Sequence, residues 1–170
     1  MLDELLKLKE AYRSSQAKGI KAVMATVVAV EGSSYRQPGL RMLVFEDATI
    51  AGAVNQGPVE DEILRQCQSV LLSDKAKIMV YEGRYRQGSD GLLYILLEPF
   101  LPDDCAWNTF EAATRGRLPL QIESFYKKIA GTRPGLGSLF HIGDQSFGFS
   151  STELDKSLTS YTQLLKPVFV

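Results

Sequence analysis

Hydrophobic positions along the chain change their spacing several times, and each change marks an element. In residues 2–18, Leu2, Leu5, Leu6 and Tyr12 fall near one helical face with charges elsewhere, and Gly19 supplies a stop, so an amphipathic helix opens the chain. Ile20 to Val30 is nearly continuous in apolarity and rich in β-branched residues, which suits a strand covered on both faces. Arg41 to Glu46 and Thr49 to Val54 read as a hairpin closed at Asp47-Ala48. A helix follows Gly57-Pro58: proline fits a first turn, Glu60, Asp61 and Glu62 complement the helix dipole, and Val59, Ile63, Cys67, Val70 and Leu71 form its core stripe. Lys77 to Tyr81 and Leu92 to Leu97 are strands joined by a polar loop, Glu82 to Gly91.

The second half follows a similar order. Asp103 caps a helix carrying Trp107 and Phe110 on one side, with Cys105 in its first turn. From Leu118 come an alternating run, a glycine loop, and strands around Leu139 to Ile142 and Ser146 to Phe149. Ser150-Ser151-Thr152-Glu153 has capping-box spacing, and Leu154, Leu158, Tyr161 and Leu165 make one stripe, which predicts a last helix. Helix, strand, glycine loop, hairpin and helix therefore run through residues 2–72 and again through 103–165. P-G-L recurs at Pro38 to Leu40 and Pro134 to Leu136, and the same offset pairs Leu43 with Leu139 and Gly52 with Gly148. The expectation is one domain over 1–170, an α/β fold with a mixed sheet flanked by helices, built as a duplicated unit about a pseudo-twofold axis. Arg36 and Arg41 of the first copy become Thr132 and Gly137 in the second, so the cationic loop occurs once.

Composition narrows the function. One hundred and seventy residues, 45% hydrophobic and 23% charged, can bury a sizeable core. A net charge of -1 gives no basic excess for a nucleic-acid backbone. The amphipathic N-terminus and the lack of a long apolar run read as a cytoplasmic protein with no membrane partner. Cys67 and Cys105 make no C-x-x-C pair, and a single histidine, His141, builds no zinc site, so no metal site is expected. Cys67 reads as a buried small hydrophobe, and Asp103 and Asp104 argue against an activated Cys105. His141 lies in a strand of the second half with no serine or cysteine evidently paired to it, and reads as a surface residue, so no catalytic residue is assigned.

The chemistry concentrates between Gly32 and Glu60. Glycines and small hydroxyls let backbone N–H groups approach an anion, a helix start adds a favourable field, and arginine supplies a planar fork for phosphate or carboxylate. Gly32 to Gly39 with Arg36 and Arg41, facing Asn55 to Pro58, is a candidate seat for an anionic small molecule. Two tight turns with surface arginines is the plainer reading of the same residues.

The order G-S-S-Y-R-Q-P-G-L-R-M-L-V from Gly32, then a hairpin, then G-A-V-N-Q-G-P-V-E from Gly52, resembles the N-terminal domain of the XdhC/CoxI family, maturation factors of xanthine dehydrogenase and carbon monoxide dehydrogenase. The resemblance continues in G-S-D-G-L-L-Y-I-L-L-E-P, Gly88 to Pro99, and covers essentially the whole chain. It implies an accessory factor, not itself an enzyme, that binds molybdenum cofactor (molybdopterin), protects it, and delivers it to a xanthine dehydrogenase-type molybdenum hydroxylase; a homodimer is compatible with the family. By the resemblance, Gly32, Ser33, Ser34, Arg36, Gly39 and Arg41 would hold the cofactor. Asn55, Gln56 and Gly57 would face it from the second loop, and Glu60 would order the arginines.

Two motif cysteines of the family are replaced. Pro58 stands in the S-G-G-C-[LV]-E motif and Ser89 in the G-C-G-G motif, which shifts the expectation from thiol chemistry to binding. The family's Rossmann domain, with its own glycine fingerprint, is not found within these residues. The alternative from another class is a structural or protein-interaction module that keeps the fold without the cofactor.

Overall fold

The computed structural model describes residues 2–33, 37–52, 58–82, 90–116 and 118–165. Helix α1 (Leu2–Ala17) buries Leu2, Leu5, Leu8 and Tyr12, one per turn along a single stripe. Strand β1 (Ala22–Ser33) is central: it pairs antiparallel with β2 (Arg41–Phe45) on one side and with β5 (Asp90–Pro99) on the other. β3 (Ile50–Gly52) closes the expected hairpin with β2. β4 (Lys77–Glu82) pairs with β5, and the short β7 (Gly131–Thr132) caps that edge, giving the order β3-β2-β1-β5-β4-β7. A second sheet, β10-β6-β8-β9, is built from β6 (Leu120–Tyr126), β8 (Gly137–Ile142), β9 (Gln145–Gly148) and β10 (Thr159–Leu165). The fold is thus α/β with two antiparallel sheets.

Alternation along the central strands sorts residues between two layers. Val23, Ala25 and Val27 of β1, with Met42 and Val44 of β2, meet Val59, Ile63, Cys67 and Val70 of α2 (Pro58–Ser73). That stripe is the one expected from sequence. On the other face, Met24, Leu43 and Phe45 meet α1, the second sheet and α3 (Asp104–Arg115), where Trp107, Phe110, Phe140 and Phe149 form an aromatic group. Asp103 caps α3 as expected, its carboxylate accepting from the Ala106 N–H at 2.8 Å. Among the described residues no helix is long and apolar enough to cross a membrane.

Cys67 is fully buried, and burial pushes its thiol up to about 12, whereas Cys105 is exposed. Titration with an aromatic disulfide reagent is therefore expected to find one reactive thiol in the native protein and a second after denaturant is added. Two fast native equivalents would contradict the packing of α2.

The chain departs from expectation at its C-terminal segment. Among the described residues no helix forms after Ser150; residues 159–165 are strand β10, paired in register with β6 along its length. Serine and aspartate use their side chains in turns instead: Ser150 Oγ accepts from the Thr152 N–H at 3.3 Å, and Asp155 from the Ser157 N–H at 3.0 Å. Thr159, Tyr161 and Thr162 are strand formers, and Tyr161, Gln163 and Leu165 point inward while Ser160, Thr162 and Leu164 point out. The duplication is consequently not established. The second order follows helix, strand and hairpin but ends in a strand where the first half has α2.

Candidate functional site

Arg41 opens β2, paired with Thr26 of β1. It shares a face with Leu43 and Phe45, so its side chain enters the layer between the two sheets and not the layer under α2. The preceding turn brings it there: the Gly39 N–H donates to Val27 O at 2.7 Å, and Val27 N–H to Leu40 O at 2.9 Å. Gly39 has φ +98°, and a Cβ there would lie 2.6 Å from Gln163 Nε2 and 3.0 Å from the Tyr161 hydroxyl. Across the hairpin, Gly52 has φ +78°, and a Cβ would lie 2.8 Å from Leu8 Cδ2 and 2.9 Å from Arg41 O. Both positions need glycine for conformation and for space.

β10 completes the seat. The Tyr161 hydroxyl donates to Pro38 O at 3.1 Å, pinning the turn. Arg41 Nη1 donates to Gly39 O at 3.1 Å and to Gln163 Oε1. Arg41 Nε and Nη2 are buried and have no hydrogen-bond partner among the described residues. Burial draws the guanidinium down to about 10, with Glu98 and Tyr161 pulling the other way, so it remains cationic at neutral pH.

Glu98, near the end of β5, is the nearby anion. It is 3% exposed, and its two oxygens accept from the Ser138 N–H at 2.9 Å and the Ser138 hydroxyl at 2.7 Å. Ser138 Oγ also meets Ser124 Oγ at 2.7 Å. Burial pushes the Glu98 carboxyl up to about 7, although the Ser138 bonds and the Arg41 charge lower it.

A cavity of about 330 Å³ opens beside this seat, lined by Lys7 and Leu8 of α1, Gly39, Arg41, Gly52 and Gln163. Lys7 is exposed, as is Glu4, which also lines the cavity. Of the residues expected to hold a ligand, Gly39 and Arg41 come together here, joined by Gly52. Gly32 is paired with Gly91, and Ser33 with Asp90, in the β1–β5 ladder. Gly32 and Glu60 do not line this cavity, and Glu60 lies in the first turn of α2, which covers the other face of the sheet; the Ser33 side chain is outside what is described. Ser34, Arg36, Asn55, Gln56 and Gly57 lie outside the described residues, as does Ser89.

Sequence reading missed Lys7, Glu98, Tyr161 and Gln163. Glu98 carried a signal: an acid ending the apolar run L-L-Y-I-L-L, on a strand whose neighbours are all covered, needs buried partners. Tyr161 and Gln163 were hidden by the helical reading of their segment. The expectation for His141 also needs correction, since it does pair with a serine. Its Nδ1 lies 2.7 Å from Ser146 Oγ and its Nε2 2.9 Å from Glu123 Oε1, while Ser160 donates to Glu123 Oε2 at 2.8 Å. These four residues form a polar row across the outer face of the second sheet, a pattern of cross-strand pairing.

Residues 15–82 match the model of the XdhC and CoxI family. The resemblance read from the motif is borne out there, because Gly32 to Glu60 lie wholly within the match. Comparison by sequence with curated proteins finds no match. Among solved structures, the chain is similar to one described as a xanthine dehydrogenase from Bacillus halodurans at 2.80 Å resolution, with a TM-score of 0.67 and 23% identity over 93% of this chain. At that identity the likeness is one of fold. The chain spans about half of that protein, 52% of its length. The XdhC and CoxI match runs from the end of α1 to the end of β4 and so includes Gly39, Arg41 and Gly52, whereas Glu98, Tyr161 and Gln163 lie beyond it.

Proposed function

We propose that the chain is an accessory factor of the XdhC and CoxI type that binds molybdenum cofactor in the Arg41 cavity and passes it to a xanthine dehydrogenase-type enzyme. The observation that carries this reading is the buried Arg41 guanidinium, with two nitrogens lacking a partner among the described residues, beside a cavity rimmed by a second cation, Lys7. Unpaired buried donors of this kind are costly, and a phosphate or carboxylate is the group that satisfies an arginine fork. A volume of about 330 Å³ falls at the small end of the range for compact ligand sites. The fit is to the anionic end of the cofactor. When bound, the cofactor supplies redox and sulfur-ligand chemistry to the client. This chain's part is to bind: Arg41 neutralises charge, Gln163 fixes the orientation of Arg41, and Gly39 and Gly52 let Gln163, Tyr161 and Leu8 close around the arginine. Ser34, Arg36, Asn55, Gln56 and Gly57, adjacent in sequence to Gly39 and Gly52, would add donors, and the family match and the fold of the Bacillus halodurans protein support the accessory role.

Co-elution of the purified protein with free molybdenum cofactor, read by fluorescence of the oxidised pterin, tests it. The wild-type chain is expected to retain cofactor saturably, and Arg41→Met, whose side chain fits the same apolar surroundings, to lose affinity by at least about tenfold, the worth of a charged hydrogen bond. Absence of retention by a folded wild-type protein would favour the interaction module.

A further inference from the structure

A second cavity, of about 430 Å³, opens where the C-terminal ends of α1 and α2 meet the start of β1 and the segment after β5. It shares no lining residue with the Arg41 cavity. Its walls are largely apolar, with Leu71 and Phe100 buried and Leu101, 63% exposed, at its margin. Two donors in it are under-used. Tyr12, 1% exposed, has a buried hydroxyl with no hydrogen-bond partner among the described residues. Such a group carries a desolvation cost until an acceptor reaches it. Lys21 Nζ is held at 3.4 Å from Leu71 O and at 3.4 and 3.5 Å from the Asp74 carboxylate oxygens. Those distances exceed the roughly 2.7–2.9 Å of a tight charge-assisted bond, so the ammonium can turn to a better acceptor.

We propose that this cavity binds a small carboxylate with an apolar ring body, its oxygens meeting the Tyr12 hydroxyl and the Lys21 ammonium and its ring lying against Leu71, Phe100 and Leu101. Apolar walls with a few convergent polar groups are the usual make-up of a small-molecule site. Phe100, already packed edge-on against Tyr12, Trp107 and Phe149, contributes only the remaining apolar part of its ring to this wall. Lys21 and Asp74 balance in charge, so it is the unpartnered Tyr12 hydroxyl, a donor in want of an acceptor, that favours an acceptor-bearing head over a cationic one.

The probes are 1-naphthoate and its neutral counterpart 1-naphthalenemethanol, titrated into the isotopically labelled full chain and followed by amide chemical shifts. Saturable single-site binding of 1-naphthoate is expected, with shifts centred on the segments around Tyr12, Lys21, Leu71 and Leu101. Lys21→Met is expected to weaken 1-naphthoate about tenfold and to leave 1-naphthalenemethanol nearly unchanged. Tyr12→Phe, which keeps the ring and removes the hydroxyl, is expected to weaken 1-naphthoate about fivefold with the spectrum otherwise preserved. No saturable binding by the wild type, shifts centred elsewhere, or affinities that neither substitution moves would each overturn the proposal. Because the cofactor assay and this titration read separate cavities, failure of one does not imply failure of the other.

Discussion

Replacing Glu98 by glutamine is expected to stabilise the protein at pH 8 by about 3 kcal/mol and to do little at pH 5. Burial raises the Glu98 carboxyl from 4.5 to about 7 in the folded chain. A raised acid binds its proton more tightly in the folded state than in the unfolded one. Its contribution is therefore fully present below about 4.5 and is lost as pH rises through 7, at about 1.4 kcal/mol for each unit separating the two values. Glutamine mimics the protonated acid: its carbonyl can accept from the Ser138 N–H, and its amide can donate to Ser138 Oγ, which then donates to Ser124. Both existing contacts survive the change. Arg41 opposes the gain, since its charge loses a counterion, but that attraction is already contained in the direction of the Glu98 shift. Other carboxylates, such as Glu31 and Glu111, are lowered by hydrogen bonds to lysine and lose stability as pH falls, so the comparison must be between variants at each pH. Urea unfolding of wild type and Glu98→Gln at pH 5 and pH 8 gives the answer. A difference that is the same at both values would show that Glu98 titrates normally.

How far the sequence reached this site depends on which forces act locally. The hairpin, the α2 stripe and the Asp103 cap were legible because each is set by spacing within a few residues: Val59, Ile63, Cys67 and Val70 are buried as a period of 3.6 requires. Gly39 and Arg41 were legible from the motif, and the structure adds Gly52 to their cavity. The rest depends on pairing between distant segments. β10 was hidden because Leu154, Leu158, Tyr161 and Leu165 fit a helical stripe, whereas the strand is chosen by β6, nearly forty residues earlier in the chain. The inward face of Arg41 was hidden for the same reason, since its partners Gln163 and Glu98 are fixed by sheet order and not by local pattern. The expectation that Glu60 would order the arginines assumed that both glycine loops turn to one side of the sheet. The alternation of β2 sends Arg41 to one face and α2 covers the other.

Phe140→Ala is expected to cost about 3–5 kcal/mol, the largest loss from a single truncation considered for this chain. Phe140 on β8 is 2% exposed, and its ring lies 4.7 Å from that of Phe149, 5.8 Å from Phe110 and 6.5 Å from Trp107. Removing it opens a void that rings on α3 and on the second sheet can fill only by moving away from their other partners, so collapse recovers little of the lost contact. For a chain of this length the melting temperature should fall by roughly 10 °C, at roughly 2–4 °C per kcal/mol. Leu164→Ala, at a position 41% exposed on the outer face, serves as the control and should stay within about 0.5 kcal/mol of wild type. The loss should also reach the candidate site. β8 carries Ser138, which holds Glu98, and β6 links β8 to β10, which carries Tyr161 and Gln163. If the second sheet loosens where Phe140 is lost, Glu98 gains access to water and its carboxyl moves back toward the ordinary range. The gain from Glu98→Gln at pH 8 should then shrink in the Phe140→Ala background, a non-additive pair measured by the double mutant. Strict additivity would mean that the aromatic group and the buried Arg41–Glu98 layer are mechanically independent, and that the second sheet supports the site only through its own strand pairing.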